Sequence, residues 1–155
     1  MMMIPDLIAF TLAAWAVEIM MKPISVLLGD DNPAFLRIVT RFLQEHDDIV
    51  VVGAAGGGEE VLALTQDLQP DIVLIDLAMP GLSGLETIPR LRAVLPEVGI
   101  IALTVLDTNS YRQAALGAGA NDFVPKASLD TDLLLAIRRV AQGNPSRQGL
   151  VGKSV

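Results

Sequence analysis

Five polar side chains in this sequence stand directly after runs of core-type residues, and their types suit phosphoryl chemistry. Asp30 and Asp31 follow Ile24-Ser-Val-Leu-Leu28 and Gly29. Asp76 follows Ile72-Val-Leu-Ile75, Thr104 closes Ile100-Ile-Ala-Leu103, and Lys126 comes shortly after Phe123-Val124. An aspartate carboxylate is a competent nucleophile that can form an aspartyl-phosphate. Carboxylates gathered in one place raise each other's pKa values unless a cation sits among them. Mg²⁺ suits such a set, because it takes all-oxygen octahedral coordination with one or two carboxylates and several waters. A metal there can hold a phosphoryl oxygen and offset charge as one anion meets another. A lysine ammonium and a threonine hydroxyl can bind the remaining phosphoryl oxygens.

Taken singly, each residue has a plainer reading. Asp30-Asp31 before Asn32-Pro33 would decorate any helix N-terminus, and an aspartate at a strand's mouth is often a turn residue. Thr104 is an ordinary β-branched strand residue, and exposed lysines such as Lys126 are the rule. The joint occurrence carries the signal, provided the chain brings all five to one rim.

The elements that would do so are visible from Ile24 onward, where short apolar runs alternate with amphipathic stretches. Strands are predicted over Ile24 to Leu28, Ile49 to Ala55, Asp71 to Leu77, Ile100 to Val105 and Asp122 to Val124. The first helix opens with Asn32 as cap and Pro33 at its first position, and should end near His46-Asp47-Asp48. Helices follow over Glu59 to Leu68, Ser83 to Leu95 (Ser83 and Glu86 forming a capping box), Asn109 to Leu116 (closed by Gly117 and Gly119) and Leu129 to Gln142. Five strand–helix units in strict alternation imply a parallel sheet with right-handed crossovers. Runs as continuous as Ile72 to Ile75 place those strands under helices on both faces. The expected fold is an α/β doubly wound three-layer sandwich, in which ligands bind beyond the carboxyl ends of the strands. All five polar residues stand at those ends.

Composition agrees. The 155 residues are 52% hydrophobic, 4% aromatic and 19% charged, so the core must be aliphatic and the chain is not a disordered one. A net charge of −7 repels nucleic-acid phosphates, and no direct nucleic-acid binding is expected. Cysteine is absent, which excludes disulfides and thiolate metal sites and fits a reducing, cytoplasmic setting. Leu7 to Val17 is apolar apart from Thr11 but too short to span a bilayer, and no basic residue precedes it as in a secretory signal. Residues 1–21 read as a non-native extension with the natural start at Met20 or Met21, or as an added helix with Leu7, Phe10, Thr11 and Ala14 on one face. Residues 22–143 form the main domain, and residues 144–155 a tail or the start of a linker.

The pieces VLLGDDN, DIVLIDLAMPGLSGLE, IIALTV and GANDFVPKA stand in an order and rough spacing that resemble the CheY-like receiver domains of bacterial two-component response regulators. The segment LAMPGLSGLET with LTV is similar to the subgroup that carries a C-terminal helix-turn-helix. The resemblance implies a five-stranded parallel sheet of flavodoxin-like order 2-1-3-4-5. It implies Asp76 as phosphoacceptor, Asp31 as direct Mg²⁺ ligand with Asp30 completing the acidic pair through water, and the Ala78 carbonyl as a further ligand. Lys126 would serve the phosphoryl group, Thr104 would be the switch hydroxyl and Phe123 the aromatic that follows it. The partner implied is a sensor histidine kinase, with homodimerisation on phosphorylation and output through the Asn109–Gln142 face. Ala127 and not proline follows the lysine, and Pro125 precedes it. Ala78 and Leu106 flank the site with apolar groups that cannot orient a water, and Val105 is bulky, so slow loss of the phosphoryl group is expected.

Three rival readings remain. A flavodoxin-like nucleotide or flavin binder would use Gly56-Gly57-Gly58, which lacks phosphate-loop spacing. A degenerate receiver acting only as a binding module conflicts with the complete set of site residues. A haloacid-type phosphatase needs a second aspartate where Ala78 stands. About a dozen residues follow the last helix, too few for a helix-turn-helix domain, so the chain reads as a fragment of a transcription regulator or as a stand-alone receiver.

Overall fold

The computed structural model describes residues 22–144, together with Ala9 and Ala13. The expectations for residues 1–21 and for the tail past Asn144 lie outside the described residues. Alternation of strand and helix is complete: β1 (Ile24–Gly29), α1 (Pro33–Gln44), β2 (Ile49–Ala55), α2 (Gly58–Leu68), β3 (Ile72–Asp76), α3 (Gly84–Val94), β4 (Gly99–Thr104), α4 (Asn109–Ala118), β5 (Asp122–Pro125) and α5 (Leu129–Gln142). A single 3₁₀ turn, Lys126–Ser128, joins β5 to α5. All strand pairs are parallel and the order is β2-β1-β3-β4-β5.

The aliphatic strands explain the layers. Every residue of β3 and β4 is buried. Alternate side chains therefore feed two cores. Val26, Leu28, Leu74, Leu103 and Val124 pack with Val39 and Leu43 of α1 and with Leu133 and Ile137 of α5. Leu27, Val73, Ile75, Ala102 and Phe123 pack with Val61 of α2, Ile88 and Leu91 of α3, and Ala115 of α4. Each fully buried Leu or Ile contributes roughly 1.5–3 kcal/mol relative to exposure, which is why no aromatic-rich core is needed.

Local signals hold at most helix ends. Asn32 accepts the Ala34 and Phe35 N–H groups, and Ser83 with Glu86 forms the capping box. Boundaries moved where tertiary bonds intervened. Asp71 lies outside β3 because its carboxylate accepts the Ser25 N–H and hydroxyl, which pins the strand's entry. Helix α1 stops at Gln44, short of the expected His46. Helix α4 runs through Gly117 and ends at Gly119, whose φ of 121° only glycine adopts without strain. Val105 has left β4 and is 72% exposed. No peptide bond among the described residues is cis. Arg138, one of the two basic residues of α5, donates to both oxygens of Asp48 and holds that carboxyl below the usual range. Both groups are exposed, so the pair is worth at most about 1 kcal/mol.

Of the glycines after β2, Gly58 serves packing. A Cβ on Gly58 would lie 2.2 Å from Thr87 Oγ1 and 2.6 Å from the Leu82 carbonyl, so this glycine lets α2 approach α3. The tightest approach is at Gly84, where a Cβ would stand 1.9 Å from the Asp76 carbonyl oxygen. Gly84→Ala should cost about 3 kcal/mol or more through overpacking, read as a lower urea midpoint. Gly56→Ala, with nothing within 4 Å of its Cβ, should stay within about 0.5 kcal/mol of the parent in the same titration.

Candidate functional site

Parallel register gathers the rim. Gly29 lies opposite Ile75, so Asp30 and Asp76 leave the sheet side by side. Asp76 lies opposite Leu103, which puts Thr104 one step beyond it, and Thr104 pairs with Pro125, which delivers Lys126. One oxygen from each of Asp30, Asp31 and Asp76 lies within 4.8 Å of the other two. Asp30 is 1% and Asp76 6% exposed, whereas Asp31 faces solvent.

Each buried carboxylate is held at both oxygens. Lys126 Nζ donates to Asp30 Oδ2 at 2.5 Å and to Asp76 Oδ2 at 3.3 Å. The Asn32 N–H donates to Asp30 Oδ1 at 2.8 Å, and the Ala78 N–H donates to Asp76 Oδ1 at 3.2 Å. Both aspartates thus close the same turn, binding the backbone two residues on. Burial pushes the Asp76 carboxyl above its ordinary range; the Ala78 N–H and Lys126 pull it back, and the neighbouring Asp30 charge pushes it up.

The three carboxylates form an all-oxygen donor set on one side of the rim, open to water at Asp31, which fits a hard divalent cation such as Mg²⁺. Thr104 stands at the adjacent strand end, 2% exposed, with its hydroxyl accepting the Leu106 N–H at 3.0 Å. Phe123 is buried on β5, and the Arg112 guanidinium from α4 lies 4.9 Å from its ring centroid. The exposed Ala78 follows Asp76 in the β3–α3 turn. The sequence-predicted residues therefore share one end of the sheet, and Asp30, Asp31, Asp76 and Lys126 form one contacting group.

Three neighbours were missed by sequence reasoning. Gly84 seats α3 against the Asp76 backbone, Arg112 covers the Phe123 ring, and the Phe35 ring lies under Lys126 Nζ at 4.0 Å. Phe35 stands in the first turn of α1 and is partly buried against the core. Its position in the first turn after Asp30-Asp31 was the signal available, since that turn begins at the rim.

Comparison with known proteins gives a consistent family. The model of the response regulator receiver domain matches residues 26–138. The chain is 37% identical over 120 residues to the response regulator GacA of Pseudomonas viridiflava, covering 77% of this chain and 56% of that protein. It is 35% identical over 120 residues to the transcriptional regulatory protein YxjL of Bacillus subtilis, covering 77% and 55%. The chain spans about half the length of these curated relatives. Among solved structures it is similar to the signal receiver domain of a putative response regulator NarL from Mycobacterium tuberculosis. That similarity has a TM-score of 0.75 and 30% identity, covering 79% of this chain and 98% of that one.

The raised Asp76 pKa has a consequence for stability without metal. Between its unfolded value near 3.8 and its higher native value, the folded chain binds more protons than the unfolded one, so stability falls as pH rises through that window. Asp76→Asn should therefore be more stable than the parent at neutral pH, with the gain vanishing below the unfolded pKa, as read from denaturation at several pH values. Added Mg²⁺ should raise the parent's thermal midpoint, by about 2.7 kcal/mol equivalent at one hundred times its Kd, and should leave Asp76→Asn unmoved.

Proposed function

The chain belongs to the response regulator receiver domain family of two-component systems, and from that premise we propose that Asp76 accepts a phosphoryl group from a sensor histidine kinase. The observation that carries the proposal is the rim itself, three carboxylates within 4.8 Å of one another with Lys126 Nζ on two of them. An Asp76 oxygen attacks phosphorus, the bond to the donor nitrogen breaks, and an acyl phosphate forms with the donor imidazole as leaving group. Asp31, Asp76 and the Ala78 carbonyl are the proposed Mg²⁺ ligands, with Asp30 holding the ion through water. Bound there, the ion supplies charge compensation for the incoming phosphoryl oxygens.

Lys126 orients a phosphoryl oxygen by its ammonium, and Thr104 turns its hydroxyl from the Leu106 N–H toward the new group. Removal of Thr104 from its place beside β5 frees space for Phe123, which couples the rim to the face spanning Asn109 to Gln142. That face is the proposed switching surface and homodimer contact. Signalling, not turnover of a diffusible substrate, is the activity proposed.

The likeness to YxjL and the half-length coverage support a piece of a transcriptional regulator, in which this part itself does not touch DNA. A stand-alone receiver acting by protein contact is the second reading, favoured by the exposed Val105, Leu106, Tyr111 and Leu116 beside β4 and on α4. The proposed location is cytoplasmic; among the described residues no helix is long and apolar enough to cross a membrane.

Acetyl phosphate with Mg²⁺ should add one phosphoryl group to the intact protein by mass spectrometry, and Asp76→Asn should add none. Failure of the parent to gain mass, or to bind beryllofluoride, would sink the proposal. Ala78 and Leu106 put apolar side chains beside the site, so loss of the phosphoryl group should take minutes or longer, and a half-life of seconds would contradict that assignment. Gel filtration with beryllofluoride should show a dimer.

A further inference from the structure

We propose that Phe35 is a positioning residue for Lys126, its ring face holding the ammonium at the rim by a cation–π contact. The inference rests on the proposed role of Lys126 in phosphoryl transfer. Nζ lies 4.0 Å from the ring centroid, within the range where the negative face of an aromatic attracts a cation. The lysine side chain is only 15% exposed, so the contact is shielded from water.

The ring is fixed by a short circuit of bonds. Asn32 donates its N–H to Asp30 Oδ1, and its own side-chain oxygen accepts the Phe35 N–H at 3.3 Å. Phe35 meets Lys126 Nζ, and Lys126 returns to Asp30 Oδ2. The first turn of α1 is thereby tied to the lysine through Asp30, and Phe35 packs, partly buried, against the core that contains Val39 and Leu43.

A flexible lysine stem loses much rotamer entropy when held in place. In this structure the ammonium has three partners, namely Asp30, Asp76 and the ring. The two carboxylates are the groups that a divalent ion and a phosphoryl group would claim. The ring is the one partner for which a hard cation does not compete, because such ions take oxygen ligands. Phe35 therefore keeps Lys126 at the rim when its carboxylate contacts are redrawn.

The test pairs spectroscopy with kinetics. In the metal-free protein the Lys126 ε-methylene protons should show an upfield ring-current shift that persists with Mg²⁺ and beryllofluoride and disappears in Phe35→Leu. Phosphorylation by acetyl phosphate should slow roughly fivefold in Phe35→Leu, recover in Phe35→Tyr, and slow again with pentafluorophenylalanine at 35, which keeps the ring but reverses its facial charge. In a Lys126→Ala background Phe35→Leu should have no further effect. Absence of the shift, equal slowing by Phe35→Leu with and without Lys126, or parent rates with the fluorinated ring would each overturn the proposal and leave Phe35 as packing. A Lys126→Ala protein phosphorylated at the parent rate would instead remove the lysine's proposed role. Thermal midpoints of all variants separate these results from loss of fold.

Discussion

Like charges crowded at the end of a buried sheet set the terms for the rest of the molecule. Two carboxylates 4 Å apart repel by about 4 kcal/mol at an effective dielectric constant of 20, and three stand within 4.8 Å here. Asp30 and Asp76 are also largely stripped of water. Such an arrangement persists only if other forces over-determine it. The ammonium of Lys126 offsets part of the repulsion, and the N–H groups of Asn32 and Ala78 fix the remaining oxygens. What is left over is a demand for positive charge, which is the physical basis of the proposed uptake of a cation together with a phosphoryl group.

That demand is met by rigid elements. Strands β1, β3 and β4 are packed on both faces, and their ends cannot retreat from one another without opening two cores. Gly84 brings α3 into contact with the Asp76 backbone, so the turn bearing Ala78 is clamped from the opposite side to α1. The site is therefore destabilising locally and held by packing elsewhere, the usual division where function requires unfavourable electrostatics.

The architecture was readable because the chain's local preferences agree with its global fold. Aliphatic runs of four to six residues, Asn32-Pro33 and the Ser83/Glu86 box all act within one turn or strand, where sequence neighbours are also spatial neighbours. Misplaced boundaries have two causes. Asp71 belongs to a bond with Ser25, 46 residues away, and of the two expected closing glycines Gly117 lies inside α4 while the positive φ falls at Gly119. Nothing in the local sequence distinguishes those glycines.

By itself the sequence determined the sandwich and that Asp30, Asp31, Asp76, Thr104 and Lys126 gather at the carboxyl end of its strands, where the chemistry is proposed. Those follow from hydrophobic periodicity and from which residue types follow each apolar run, both of which are local properties. Only the tertiary structure decided that Lys126 bridges Asp30 and Asp76, that Thr104 bonds backbone, and that Phe35, Gly84 and Arg112 belong to the site. Distances of a few ångströms between residues as far apart as Asp30 and Lys126 depend on parallel register and helix docking, and these are set by how whole faces pack, not by any residue's own neighbours.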